Sequence, residues 1–420
     1  MAWRHLLSEI VNKRRAKFED GCGSSFDSAE IPMLIPCPAR STDRDGVSGG
    51  RRCSIAVGIG SGPEGSRPTA DVWRLRGCGA ESGFAEETEY VLPTENASQS
   101  FESLMAKVTI IGATGQVGTY VAHSVSQFPH VQEMCLFGRS GNEQYLEGLA
   151  HDMTDSFAAR GTDTRVTFGT NPEILRGSDI IVLTAGIPRK ADQTRLDLAL
   201  ENARIVKKYA ELIGSIVPDS LLLVVTNPVD IMTTVALKYS GMKPNQVFGL
   251  GTHLDSMRLK SRLAKFFKVH VSEVHTRIVG EHGDTMVPLW SATTIGGVQI
   301  DNLLGFAPVD RETMLEEVKN SGSQIIKAKG ATVYGPGDAI ASLIRTIVED
   351  ENRLLTVSTE IVWDSFSHKG ICISVPARIT RNGVYSVGIR MSEVESAAFI
   401  KSVELIRKTT EDVFSVLDKE

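Results

Sequence analysis

Residues 105–125 read MAKVTIIGATGQVGTYVAHSV. A β-branched apolar run, KVTIIG, breaks at Gly112, Gly115 and Gly118, and a helical run, VGTYVAHSVSQF, follows. Strand, glycine turn and helix, in that order, form the context in which a glycine pattern carries chemistry. The glycines permit a tight turn, a close backbone approach to a pyrophosphate and close packing of helix on strand. The helix start, at Gln116 and Val117, offers N–H groups and the positive end of a dipole to the anion. The spacing is GxxGxxG, one loop residue longer than the plain GxGxxG. The stretch predicts the opening unit of a dinucleotide-binding domain; a tight turn with no ligand is the bland alternative.

Downstream the alternation continues. Apolar runs EMCLFG, RVTFGT, DIIVLTAG and LLLVVTN alternate with longer segments such as DLALENARIVKKYAELIGSI and VDIMTTVALKYS. Four- to six-residue apolar runs joined by helices describe a parallel sheet covered on both faces. After about residue 253 longer helices appear, then the alternating GICISVPARITRNGVYSVGIRM, then a last long helix from SEVESAAF onward. The fold class is therefore α/β: a Rossmann-type, doubly wound parallel sheet over 105–253, followed by an α+β substrate domain over 254–420.

Upstream, residues 1–104 scatter Gly, Ser, Pro and Arg without a sustained period. Such a chain buries little apolar area per residue ordered, so disorder is expected. IAVGIGSG, residues 55–62, imitates a strand and glycine loop, but the following PEGSRP cannot open a helix. MAKVTIIG resembles a natural start, so 1–104 reads as a dispensable extension or as a region translated from a wrongly chosen start. The 420 residues carry a net charge of -6 without a basic block, which argues against a nucleic-acid partner. No apolar run approaches a membrane span. Of six cysteines, four lie before residue 104 and none sit at CxxC spacing, so no metal site is read and a reducing, cytoplasmic setting is expected.

The second strand of an NAD domain should end in an acid that bonds the ribose hydroxyls. Here it ends LFGRSGN, with Gly138 and Arg139 at that place. Nothing repels a 2′-phosphate; Arg139 can pair with it and Ser140 can add a hydrogen bond. NADP is expected in preference to NAD. In GTHLDSMR, Asp255 and Arg258 stand three apart on one helix face. His282 lies among glycines in GEHGD, where a strand ends. A histidine held by a carboxylate is a good acid–base group near neutral pH.

The motifs GATGQVG, TAGIPRK, TNPVD, LDSMR and GEHGD, in this order, resemble the lactate/malate dehydrogenase family, and most of all its archaeal-type malate dehydrogenase branch. The resemblance covers 105–420 and leaves 1–104 untouched. It implies that His282 exchanges a proton with the substrate oxygen and that Asp255 pairs with His282. It implies that Arg258 grips the C1 carboxylate, that Asn227 bonds near the substrate hydroxyl and the nicotinamide, and that the bond to Pro228 is cis. Thr332, in KGATVYGP, would line the substrate pocket. Gly186, Asn202 and Val225 would lie along the dinucleotide. In RKADQTR, Arg195 would polarise the carbonyl and Arg189 would meet the second carboxylate of a C4 diacid. Family loops often read RKPGMTR, so this loop lacks their Pro and Gly. The substrate pair implied is malate and oxaloacetate, the chemistry that of the tricarboxylic acid cycle, the partner a second copy of the chain in a homodimer or homotetramer.

Two other readings compete. A lactate or other 2-hydroxyacid dehydrogenase places a neutral residue where Arg189 stands. A non-catalytic dinucleotide-binding module has no need of His282, Asp255, Arg258 and Arg195 together.

Overall fold

The computed structural model describes residues 105–188, 195–361 and 370–420, with Arg195 described by its backbone alone, and within 1–104 the backbone of four strands. Residues 1–103 form a unit of their own. In it Glu30–Pro32 pairs antiparallel with Ser54–Ala56, and Ala70–Arg76 with Glu87–Pro93. The disorder expected for the rest of this segment lies outside the described residues.

The larger unit is built on one nine-stranded sheet. Its first strands are β1 (Ala106–Ile111), β2 (Val131–Phe137), β3 (Arg165–Gly169), β4 (Ile180–Leu183), β5 (Leu221–Val224) and β6 (Val247–Gly249). These six are parallel and lie in the order β3-β2-β1-β4-β5-β6. That order places a topological switch between β1 and β4, where open α/β sheets bind ligands at the carboxyl ends of their strands. The crossovers carry α1 (Gln116–Val125), α2 (Glu143–Arg160), α3 (Arg195–Ile216) and α4 (Val229–Ser240).

The apolar runs alternate between two cores. Val108, Ile110, Ile180, Val182, Leu221 and Leu223 face one; Ile111, Ile181, Leu183, Leu222 and Val224 face the other. Every residue of β4 and β5 is buried, which is why these strands show no polar alternation. Helices α3 and α4 approach closely enough to exclude a side chain. A Cβ on Gly214 would lie 1.8 Å from the Ser240 carbonyl oxygen. Backbone cannot yield as a side chain can, so Gly214→Ala is expected to cost about 3 kcal/mol. Urea unfolding measures this, and a loss under about 0.5 kcal/mol would mean the two helices can separate freely.

The antiparallel part of the chain joins the same sheet rather than forming one of its own. After α5 (His253–Phe267) come five two-residue strands, β7 (Val274–His275), β8 (Ile278–Val279), β9 (Val287–Pro288), β10 (Thr294–Ile295) and β11 (Val298–Gln299). Then follow α6 (Pro308–Lys329) and α7 (Tyr334–Val348). Strands β12 (Arg353–Glu360), β13 (Cys372–Thr380) and β14 (Gly383–Ser386) extend the sheet beyond β6. The last helix, α8 (Glu393–Leu417), starts at a capping box in which Ser392 and Glu395 satisfy each other's backbone N–H. A third core, with Leu259, Leu263, Ile278, Met314 and Val318, ties α5 to α6 and β8. Among the described residues no helix is long and apolar enough to cross a membrane.

Candidate active site

The glycine turn after β1 has two packing glycines and one open one. Gly112 sits at φ +94, and a Cβ there would lie 2.7 Å from Thr184 Oγ1. A Cβ on Gly118 would lie 2.4 Å from the Gly112 carbonyl oxygen. At Gly115, which is exposed, a Cβ would approach only the Gly112 oxygen, at 3.3 Å. Gly115 is also the N-cap of α1 and supplies no capping side chain. The first N–H groups of a helix lack intrahelical partners, so the open turn fits a dinucleotide pyrophosphate. Gln116 is exposed and Val117 half-buried at the same helix start. Arg139 and Ser140 are both exposed just past the end of β2. A Cβ at Gly138 would lie 2.9 Å from Leu146 Cδ1, so an acid at that position requires Leu146 to shift.

The turns after β4 and β5 are tied together by Asn202 of α3. Its side-chain oxygen accepts from the Ile187 N–H at 2.7 Å, and its amide nitrogen donates to the carbonyls of Asn227 (2.7 Å) and Ile187 (3.2 Å). The Thr226 hydroxyl donates to the Ala185 carbonyl at 2.7 Å. Gly186 stands between them, where a Cβ would lie 2.5 Å from Thr226 Cγ2. The Asn227–Pro228 peptide is cis. Asn227 is exposed at this turn, with Val225 half-buried behind it. Asn202 thus spends its buried amide on backbone, and holds the turns after β4 and β5 in register.

Two further segments bring a linked set of side chains together. Asp255 and Arg258 lie in the first turns of α5, and His282 follows β8 in the GEHGD loop. The Asp255 carboxylate is 1% exposed and fully used. One oxygen accepts from His282 Nδ1 at 2.5 Å and the other from Arg258 Nη1 at 3.1 Å. The bond fixes the proton on Nδ1, which leaves Nε2 as the working nitrogen. The imidazole remains 26% exposed, so its far edge is reachable. Burial disfavours the imidazolium, but the Asp255 charge and hydrogen bond outweigh it and raise the pKa to about 9. For Asp255, burial is in turn overcome by His282 and Arg258, and the carboxyl stays below its ordinary value. The pair therefore adds stability that is complete below the imidazole's ordinary 6.5 and is lost as pH rises through about 9. On the acid side its contribution vanishes as Asp255 takes up a proton.

Thr332 is half-buried in the turn between α6 and α7. Arg195 opens α3 rather than lying in the loop before it. Arg189 lies outside the described residues.

Residues 106–249 match the family model for the NAD-binding domain of lactate/malate dehydrogenases, and residues 252–417 match that for their alpha/beta C-terminal domain. The chain belongs to the lactate/malate dehydrogenase family. As a member it is an NAD-dependent oxidoreductase. A malate dehydrogenase of Methanothermobacter marburgensis is 44% identical over 321 residues, 75% of this chain and 99% of that protein. An L-2-hydroxycarboxylate dehydrogenase (NAD(P)(+)) of Methanocaldococcus jannaschii is 45% identical over 310 residues, 73% of this chain and 99% of its own. The crystal structure of the Picrophilus torridus malate dehydrogenase in its apo form superposes with a TM-score of 0.70 at 31% identity, covering 75% of this chain and 99% of that one.

Two groups at the family site carried no role in the sequence. Asp230, 2% exposed in the first turn of α4, accepts the His282 backbone N–H at 2.8 Å. Ser374 of β13 donates its hydroxyl to Asp230 at 3.1 Å and accepts the Thr252 N–H at 3.0 Å. The available signal was a lone carboxylate in an otherwise uncharged run, VDIMTTVAL.

Proposed function

We propose that this protein is a malate dehydrogenase, interconverting oxaloacetate and malate. The observation that carries the reading is the buried Asp255 shared by His282 and Arg258, which sets a proton-transfer group beside a carboxylate-binding cation. The 44% identity to the Methanothermobacter marburgensis malate dehydrogenase supports it. A nicotinamide dinucleotide, when bound, supplies or removes the hydride at C2 of the substrate. The chain's own residues do the rest. In reduction, His282 gives its Nε2 proton to the keto oxygen as that oxygen gains charge, and Asp255 stabilises the imidazolium beforehand. In oxidation, the neutral Nε2 takes the hydroxyl proton. Arg258 presents a guanidinium with five N–H donors, of which Asp255 takes one, to the C1 carboxylate. Arg195 polarises the carbonyl, and Arg189 meets the second carboxylate. Asn227 and Thr332 border the substrate. Gly112, Gly115, Gln116, Val117, Gly118, Gly186, Asn202 and Val225 form or brace the dinucleotide's bed. On this reading 105–253 is the dinucleotide-binding half and 254–420 the substrate half.

NADP is the cofactor favoured at the ribose end, because Arg139 stands where an acid would repel the 2′-phosphate. Arg139→Ala should lower kcat/KM with NADPH by roughly 10- to 100-fold, the size of a hydrogen bond to a charged group, and leave NADH rates nearly unchanged. Equal loss with both cofactors would return Arg139 to a surface turn. The primary test is initial rates with oxaloacetate and pyruvate, each with NADPH and NADH. Pyruvate preference overturns the substrate assignment and favours the broader 2-hydroxycarboxylate activity named in the Methanocaldococcus jannaschii relative. The enzyme is further read as a cytoplasmic homodimer or homotetramer. Sedimentation of a single monomeric species contradicts it.

A further inference from the structure

We propose that Tyr120 is a positioning residue for substrate: seated on Gly337 and bonded to Asp338, it fixes the turn that carries Thr332 against the dinucleotide helix α1. The proposal rests on the readings of Thr332 and α1 given above. The stretch YGPG, 334–337, opens α7 directly after that turn. Glycine is a poor helix former, yet two stand in this first turn, and each faces a neighbouring helix. A Cβ on Gly337 would lie 2.1 Å from Cδ1 and 2.7 Å from Cε1 of Tyr120, so the phenol ring occupies the place of a side chain. A Cβ on Gly335 would lie 3.4 Å from Leu254 Cδ1, on the helix that carries Asp255 and Arg258. The Tyr120 hydroxyl donates to Asp338 Oδ1 at 2.9 Å, and its ring meets that of Tyr334 edge to face at 5.2 Å.

These contacts put the start of α7 at a joint between helices. On one side Thr119, next to Tyr120, donates its hydroxyl to the Ala113 carbonyl at 2.8 Å and ties α1 to its own glycine turn. On the other, the ring of His253 at the start of α5 shares a hydrogen bond of 2.9 Å with Ser342 of α7. The turn from Gly330 to Val333 is closed from within. Lys329 donates to the Ala331 carbonyl at 2.9 Å and sets its ammonium over the Tyr334 ring at 5.1 Å. The Gly337 N–H bonds the Val333 carbonyl at 2.9 Å, so the residue beside Thr332 moves with the residue on which Tyr120 sits. Burial and the Asp338 bond hold the phenol above its ordinary pKa, and it stays a donor across neutral pH. The bond to exposed Asp338 contributes less than the ring, because a hydrogen bond open to water gains little while the ring packs on buried Gly337. A turn fixed at both ends presents Thr332 in one place, and a turn without Tyr120 presents it in several. The N–H groups at the start of α1 are set by the packing of Gly112 and Gly118 instead. Loss of the Tyr120 contact therefore spares dinucleotide binding and weakens substrate binding.

The test reads substrate and cofactor separately in the full chain. Tyr120→Ala should raise the KM for oxaloacetate by about tenfold, short of the roughly 100-fold that a misplaced reacting group can cost. Turnover should change little, the mark of lost substrate binding, and dinucleotide affinity, from quenching of protein fluorescence, should not change. Tyr120→Phe keeps the ring and should stay close to the unaltered protein. Gly337→Ala should raise KM in the same way, because its methyl displaces the ring. The double replacement Tyr120→Ala with Gly337→Ala should recover part of the loss, since the three atoms nearest the new methyl all belong to Tyr120. A merely structural role would add the two losses and would not divide KM from kcat. An unchanged oxaloacetate KM in folded Tyr120→Ala, or equal weakening of dinucleotide and substrate, overturns the proposal. If that variant does not fold, Gly337→Ala decides alone: a raised KM with dinucleotide affinity kept supports the proposal, and an unchanged KM refutes it. Pyruvate replaces oxaloacetate if the rates favour it, with the same expectations. Thr332→Ala with unchanged KM would instead sink the reading of Thr332, and recovery in the double variant would still show that Tyr120 positions substrate.

Discussion

Replacing His282 with asparagine is expected to lower turnover by about 10²- to 10⁴-fold, the usual contribution of general acid–base catalysis, with dinucleotide affinity close to that of the unaltered protein. Asparagine preserves a hydrogen-bonding side chain of similar reach but carries no exchangeable proton near neutral pH. The bond that Asp255 now accepts from Nδ1 at 2.5 Å can be partly replaced by the amide, so the fold should survive. The glycine turn and the start of α1 lie at β1, apart from the GEHGD loop in sequence and built on different strands, so their hold on a pyrophosphate should not change. Steady-state rates of oxaloacetate reduction and quenching of protein fluorescence by NADH or NADPH measure the two halves of the expectation. Turnover within a factor of a few of the original would remove His282 from the mechanism. Weakened cofactor binding with proportionate loss of rate would make it a structural residue.

The pH dependence carries a second check on the same group. With the His282 pKa raised to about 9 in the free protein, kcat/KM for reduction should hold steady across neutrality and decline as pH rises through that region. The reverse reaction, which needs neutral imidazole, should climb over the same interval. A decline centred near 6.5 would mean that Asp255 does not stabilise the charged ring.

Local patterns were legible in the sequence because they report local physics. KVTIIG, DIIVLTAG and LLLVVTN read as buried strands since their side chains fill both cores of the sheet, and no polar face interrupts them. The glycine turn was legible because each packing glycine answers a contact that a Cβ would break. Long-range pairing was not. That GICISVPAR continues the parallel sheet rests on β12, which meets β6 at a single residue pair, Gly249 with Ser358, and on β13 in turn. Nothing in either run specifies its neighbour. The same limit applies in the site. Asp255 and His282 could be paired through the motifs that carry them, whereas the grip of Asp230 on His282 runs to a backbone N–H, a group present at every non-proline residue and invisible in the amino-acid code. Asn202 shows a related effect: the family resemblance suggested the cofactor, and the folded chain shows a brace between two turns.

Arg189→Gln is expected to lower kcat/KM for oxaloacetate by roughly 30- to several thousand-fold, the equivalent of about 2–5 kcal/mol for a desolvated charge pair, and to raise that for pyruvate. The residue itself lies outside the described residues, so the expectation rests on the sequence. Arg258 accounts for one carboxylate of a diacid. The second, on the far side of C2, needs a cation from elsewhere, and the segment between Gly186 and the start of α3 supplies Arg189, Lys190 and Arg195. Selection then has two parts. On the proposed reading oxaloacetate would gain an ion pair with Arg189, and such a pair strengthens wherever water is excluded. Pyruvate would then leave the same guanidinium without a carboxylate, which costs comparably if the charge is desolvated. Glutamine removes both, so the ratio of the two specificity constants should move further than either constant alone. Lys190 offers a neighbouring positive charge, but a lysine lacks the planar fork that meets a carboxylate on two bonds. Arg189→Gln should therefore not be rescued by Lys190, and the double replacement Arg189→Gln with Lys190→Gln should differ little from the single one. If the single variant keeps its oxaloacetate preference and the double one loses it, the selecting charge is Lys190. If neither loses it, the second carboxylate is held by a group outside this loop, and the substitution of Ala and Asp for the Pro and Gly common in family loops has moved the lid's arginine out of the specificity site.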